Sequence, residues 1–138
     1  MIKMFGCTQQ QVDIDLDKGE HPFAAGAQAP KLTKYEFNLT TGTSEMKILE
    51  EANMEFPIVE QSLIGYCTKY AYLACFKTVV PNTQEGKDNC YFEAVIKYDL
   101  ENEKIVDRID FGPTKSAGEI FYHKRDNAKS EDDGYLMS

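Results

Sequence analysis

The chain lacks a positive footprint. Its 138 residues carry 15 basic against 23 acidic side chains, a net charge of −8. Phosphate backbones are gripped by clustered lysine and arginine, so nucleic acid is excluded as a partner. The same sign excludes an electrostatic hold on anionic lipid. No apolar run is long enough to cross a bilayer as a helix, so membrane association would have to come through other segments. The first seven residues, Met1-Ile2-Lys3-Met4-Phe5-Gly6-Cys7, meet polar Thr8-Gln9-Gln10-Gln11 at once and make no signal peptide. Cys7, Cys67, Cys75 and Cys90 form no CxxC pair, which excludes the common zinc and redox patterns. They read as reduced thiols buried in the strands of an intracellular protein. Histidine is scarce, with only His21 and His123.

A helical period is also missing. Residues 46–53 are good helix formers, but their first half reads as the returning strand of a hairpin. Residues 31–39 alternate polar and apolar, as a half-buried strand does. Thr40-Thr41-Gly42-Thr43 is a turn, and residues 44–49 return. Residues 69–76 and 91–100 are further strands. Asn102 sits in a tight reversal, and residues 104–111 come back. Gly112-Pro113 breaks the chain. Ile120-Phe121-Tyr122 is a short strand, and Asp133-Gly134 turns into Tyr135-Leu136-Met137.

This pattern echoes itself. Lys34-Tyr35-Glu36-Phe37 is followed by Glu55-Phe56-Pro57, and Lys97-Tyr98-Asp99-Leu100 by Glu119-Ile120-Phe121, after gaps that differ by one residue. An aromatic strand follows each glutamate. A hairpin, a glutamate-headed strand and an aromatic strand thus recur every 63 to 65 residues. A repeating all-β unit of this kind suggests propeller blades with inserted loops. About two blades fit, and a ring of roughly four or more is needed for closure. An open ring leaves strand edges unpaired. The expectation is one partial propeller domain over residues 1–138, incomplete at both ends or dependent on a partner.

The segments that carry the echo resemble the carotenoid cleavage oxygenase family. Glu55-Phe56-Pro57 is similar to its EFP segment. Gly65 and Lys69-Tyr70-Ala71-Tyr72 are similar to the glycine and basic-aromatic strand that come next. Residues 94–100 resemble its GxxKxDL hairpin, with Ala94 in place of the glycine. Phe111-Gly112-Pro113, Gly118-Glu119, Arg125 and Glu131-Asp132-Asp133-Gly134-Tyr135-Leu136 resemble its most recognisable run. Departures are Ile120 and Lys124, where prolines are common, and His123, where an apolar residue is usual.

The resemblance implies a seven-bladed propeller with a non-haem iron(II) on its axis, held by four histidines. Glutamates behind three of those histidines accept their second N–H. Such an enzyme uses O₂ to split a double bond of a carotenoid, an apocarotenoid or a related hydrophobic polyene. Glu55 and Glu119 match two of those glutamates. A carboxylate there fixes the imidazole tautomer and raises its basicity as a ligand. In the family's order three iron ligands precede this region and the fourth follows it. Neither His21 nor His123 is expected to bind iron, so Fe(II) is expected in the full-length parent and not on this chain alone. The alternative is a non-catalytic propeller piece acting as an interaction module.

Three other signals carry less. Asp13-Ile14-Asp15-Leu16-Asp17-Lys18 invites calcium, but Lys18 occupies the EF-hand glycine place and Ala24 the closing glutamate place. It reads as a strand with one wet face. Asn38-Leu39-Thr40 is a glycosylation sequon, meaningful only on secretion. Glu131-Asp132-Asp133 reads as an acidic turn ending one strand and opening the next.

Overall fold

The computed structural model describes residues 1–8, 30–76, 80–82, 87–89 and 91–138. Apart from one 3-10 turn at Gln61–Leu63, the regular structure described is all strand. The chain divides into two compact units, Met1–Glu55 with Phe76–Tyr91, and Phe56–Cys75 with Phe92–Ser138.

In the first unit, strands β1 (Ile2–Thr8), β2 (Lys31–Asn38) and β3 (Thr43–Ile58) pair antiparallel in that order. The β2–β3 turn is set by Asn38, whose Oδ1 accepts the Thr40 and Thr41 amides at 3.0 and 3.3 Å. Gly42, at φ 72°, takes the left-handed residue the turn needs. The register places Ile2, Met4, Tyr35, Phe37, Met46 and Ile48 on one face. Tyr35 and Phe37 stack there with centroids 6.4 Å apart. The other face is charged, with Lys3 and Lys34 at 3.4 and 3.7 Å from the Glu36 carboxylate. Leu32, Thr33 and Met54 are fully buried, and the hydroxyls of Thr8 and Thr33 are hydrogen-bonded at 2.5 Å. Two short strands, β5 (Val80–Asn82) and β6 (Lys87–Asn89), pair antiparallel in the same unit.

Strand β3 differs from the expectation. It runs unbroken through residues 46–53 and Glu55, so Glu55 lies inside a long strand rather than at the head of a new one. Lys31 faces Asn53 while Thr33 faces Ile48, so residues 49–52 form a wide bulge. Glu51, in the bulge, reaches back to the Lys31 ammonium.

In the second unit, β4 (Tyr70–Phe76), β7 (Phe92–Asp99) and β8 (Lys104–Asp110) are adjacent in that order. Residues 71–75 are all buried, the mark of a strand covered on both faces. Ala94, Ile96 and Tyr98 of β7 are fully buried beside them. The β7–β8 turn is held by Asp99. Its side chain accepts the Glu101 and Asn102 amides at 3.0 and 2.8 Å and the Asn102 side chain at 2.8 Å. Those bonds, that from the Asn102 side chain foremost, hold its carboxyl below the ordinary aspartate range. Strands β9 (Phe121–Lys124) and β10 (Gly134–Met137) form a ribbon of four facing pairs. Ile120, just before β9, packs with Ala74 and Val95, and Ile58, Phe92, Phe111 and Leu136 surround them.

The hairpins β2–β3 and β7–β8 thus recur, as the echo implied. Strand β1 was not anticipated, nor were β5 and β6. The acid-alternating run beginning at Asp13, His21 and Cys90 lie outside the described residues.

Candidate metal-supporting site

Glu55 sits near the end of β3. It follows Met54, which is fully buried and whose amide donates to Pro30 O at 2.8 Å. The strand therefore holds Glu55 half-buried. Burial raises its carboxyl above the ordinary glutamate value, because a charge loses hydration there. The same surroundings act on Cys7 of β1. Burial first, and the Glu55 charge second, push its thiol up to about 12. Immediately after Glu55, Phe56 has φ 52° and precedes Pro57. A bulky residue in the left-handed region costs on the order of 1–3 kcal/mol. Against that, its ring packs on Phe92 with centroids 5.5 Å apart.

Glu119 stands on different ground. It is exposed, in the loop between Gly112-Pro113 and β9. Gly112 has φ 82°, where a side chain would be strained. The Ala117 amide donates to Phe92 O at 3.2 Å, and Gly118 N to Ser138 Oγ at 3.1 Å. Ile120, one residue on, is anchored in the core.

Neither carboxylate has a hydrogen-bond or ion-pair partner among the described residues, so both keep acceptor capacity. Among those residues no three His, Cys, Asp or Glu side chains converge as a metal group. His123 lies exposed on β9 opposite Tyr135. Two carboxylates with free acceptor capacity could receive imidazole N–H groups, and the described residues offer no ligand cage of their own. Cys7 is half-buried, Cys67 exposed and Cys75 buried, and none of the three is in a disulfide. Burial of these cysteines, expected for all, thus fails at Cys67.

The acidic turn does more than end a strand. The Glu131 carboxylate accepts the Lys69 amide at 3.0 Å from both oxygens and the Tyr70 amide at 2.8 Å. Lys97 Nζ lies 2.6 Å from Asp132 Oδ2 and 4.2 Å from the centre of the Tyr70 ring. That ammonium, ahead of a Ser130 hydrogen bond, holds the Asp132 carboxyl below its usual range. Asp133 Oδ2 accepts Arg125 Nη2 at 2.9 Å and the Lys129 amide at 3.0 Å. Tyr122 Oη donates to Glu131 O at 2.8 Å, and its ring stacks on Tyr72 with centroids 5.3 Å apart. Gly134 is required beside it, since a Cβ there would lie 2.5 Å from Tyr122 Oη and His123 O. Sequence reasoning found the turn and not these partners; Lys69 and Tyr70 lie 62 and 61 residues from Glu131 in the chain.

The family described as retinal pigment epithelial membrane protein matches residues 2–138. The chain belongs to it. Relatives are enzymes of carotenoid metabolism by name. Apocarotenoid-15,15'-oxygenase of Synechocystis is 27% identical over 127 residues, covering 92% of this chain and 24% of the relative. Carotenoid 9,10(9',10')-cleavage dioxygenase 1 of Pisum sativum is 24% identical, covering 99% and 26%. The rice chloroplastic 9-cis-epoxycarotenoid dioxygenase NCED1 is 32% identical over 110 residues, covering 75% and 16%. The chain spans about a quarter of the length of the first two. Among solved structures, the Glu150Asp mutant of the Synechocystis apocarotenoid oxygenase superposes with TM-score 0.75 at 22% identity, covering 97% of this chain and 27% of that one. The cobalt-substituted form of that enzyme matches with TM-score 0.75 at 21% identity, with the same coverage. At that identity the likeness shows the fold, part of the β-propeller of this family.

Proposed function

We propose that this chain is a segment of an iron(II) dioxygenase that oxidatively cleaves a carbon–carbon double bond of a carotenoid or apocarotenoid. The family match over residues 2–138 supports this reading. The observation that carries it further is Glu55. It is a half-buried carboxylate raised by desolvation, on a strand, with no hydrogen-bond partner among the described residues. An uncompensated carboxylate is costly to keep unless something outside the segment completes it. A metal-bound imidazole that donates its second N–H does so, and in return becomes oriented and more basic. Glu119 takes the same role with a second histidine. The histidines belong to parts of the enzyme outside this segment, as do most of the walls that meet the polyene. Iron, when bound there, supplies the site at which O₂ is activated. This chain's part is to hold two ligands in their orientation.

A segment exchange tests the proposal. The segment would replace the matched quarter of the Synechocystis oxygenase, followed by measurement of iron content and apocarotenoid cleavage. The expected result is a folded hybrid with about one iron per chain and measurable cleavage. A folded hybrid that neither retains iron nor cleaves would contradict it. An interaction module would give a folded hybrid with no iron.

A further inference from the structure

We propose that Glu131 is a positioning residue for Glu119, acting through the β9–β10 ribbon. This rests on the role given to Glu119 above. The ribbon has two ends. At one, Phe121 faces Met137, and Glu119 lies two residues before it. At the other, Lys124 faces Gly134, and the acidic turn adjoins it. The Glu119 end is fixed by Ile120 in the core and by the Ala117 amide on Phe92. These contacts, with Leu136 against the same cluster, seat the near part of the ribbon. The far end is held separately. Both oxygens of Glu131 bind the amides that open β4, and its carbonyl takes the Tyr122 hydroxyl.

Hydrogen bonds from backbone amides to a carboxylate are charge-assisted and stronger than neutral ones. Lys97 reinforces the clamp through Asp132, and its ammonium also lies over the Tyr70 ring. A four-pair ribbon held at both ends is stiff about its long axis. Held at one end it frays, as short two-stranded ribbons do in water. A carboxylate that must meet an imidazole N–H within hydrogen-bond reach depends on that stiffness.

The test uses amide hydrogen exchange on the full chain and iron retention in a holoenzyme carrying the segment. Variants are Glu131→Ala, Glu131→Gln and Glu119→Gln. Glu131→Ala should speed exchange at Lys69, Tyr70 and along β9 and β10 by roughly tenfold or more, and lower iron retention. Glu131→Gln keeps an acceptor oxygen for both amides and should restore most of each. Glu119→Gln should lower iron retention with exchange unchanged. Faster exchange with full iron retention in Glu131→Ala would reduce Glu131 to a structural clamp and overturn the proposal. Intact iron retention in Glu119→Gln would overturn the role of Glu119 and this proposal with it, through a separate arm. Should Glu131→Ala fail to fold, Glu131→Asp serves instead, because its shorter arm keeps the charge and cannot span to β4.

Discussion

Glu55 and Glu119, proposed above for one task, stand on unlike ground. Glu55 is set in a long strand, half-buried, and pays for its charge in lost hydration. Glu119 is exposed in a loop, just before the ribbon. Their units differ in the same sense. In the second, β4 is buried from Ala71 to Cys75 and β7 packs beside it. In the first, Ile2, Met4, Met46 and Ile48 are at least 45% exposed on one face, and burial among the described residues gathers at Leu32, Thr33 and Met54. The difference teaches that a strand can set a carboxylate at a cost in desolvation, whereas an exposed loop carboxylate must take its placement from the contacts of its neighbours.

The comparison breaks most readily in the core. Leu73→Ala, at a fully buried position of β4, should destabilise the second unit by about 2–5 kcal/mol. Met46→Ala, on the exposed face of the first, should change stability by under about 0.5 kcal/mol. Thermal or urea unfolding reads both, and equal costs would show that the two units are packed alike.

Gly134→Ala comes next. The added methyl would meet Tyr122 Oη and His123 O, and the turn should lose about 1–3 kcal/mol. A neutral result would mean that the clamped end of the ribbon yields freely.

A smaller effect belongs to Glu55. Its carboxyl is raised in the folded chain, so the folded state holds its proton to higher pH than the unfolded state. Its contribution is therefore favourable below the unfolded glutamate value and is lost as pH rises through the folded one. Glu55→Gln should raise the melting temperature of the isolated chain at neutral pH, with the gain vanishing near pH 4. A pH-independent difference for Glu55→Gln would contradict the desolvation account.

The last distinction is chemical. The Cys7 thiol, pushed up to about 12, should resist alkylation at pH 8, while exposed Cys67 reacts. The rates should differ by on the order of a hundredfold, read by mass spectrometry of the labelled peptides. Similar rates would place Cys7 in solvent, away from the Glu55 charge.

Local signals made much of this fold legible. The alternation of residues 31–39, Asn102 at the reversal and Asp133-Gly134 before β10 each name an element through turn chemistry or period. The misses have physical causes. Strand β1 pairs with Phe37 through Lys31, distant in sequence, and Ile2 and Met4 alternate too briefly to stand alone. The continuity of β3 was hidden because residues 49–52 bulge, and Glu50, Glu51 and Ala52 favour helix locally. Glu55 and Glu119 were named by resemblance to the family's motifs. The partners of Glu131 were not, because two backbone amides have no signature in sequence.

The most direct test is iron release to a chelator from a holoenzyme carrying this segment, with Glu55→Gln and Glu119→Gln measured beside the parent. Both variants should lose iron faster, by roughly tenfold to a hundredfold. Release at the parent rate from both would contradict the assignment of these glutamates as supports of the metal's ligands.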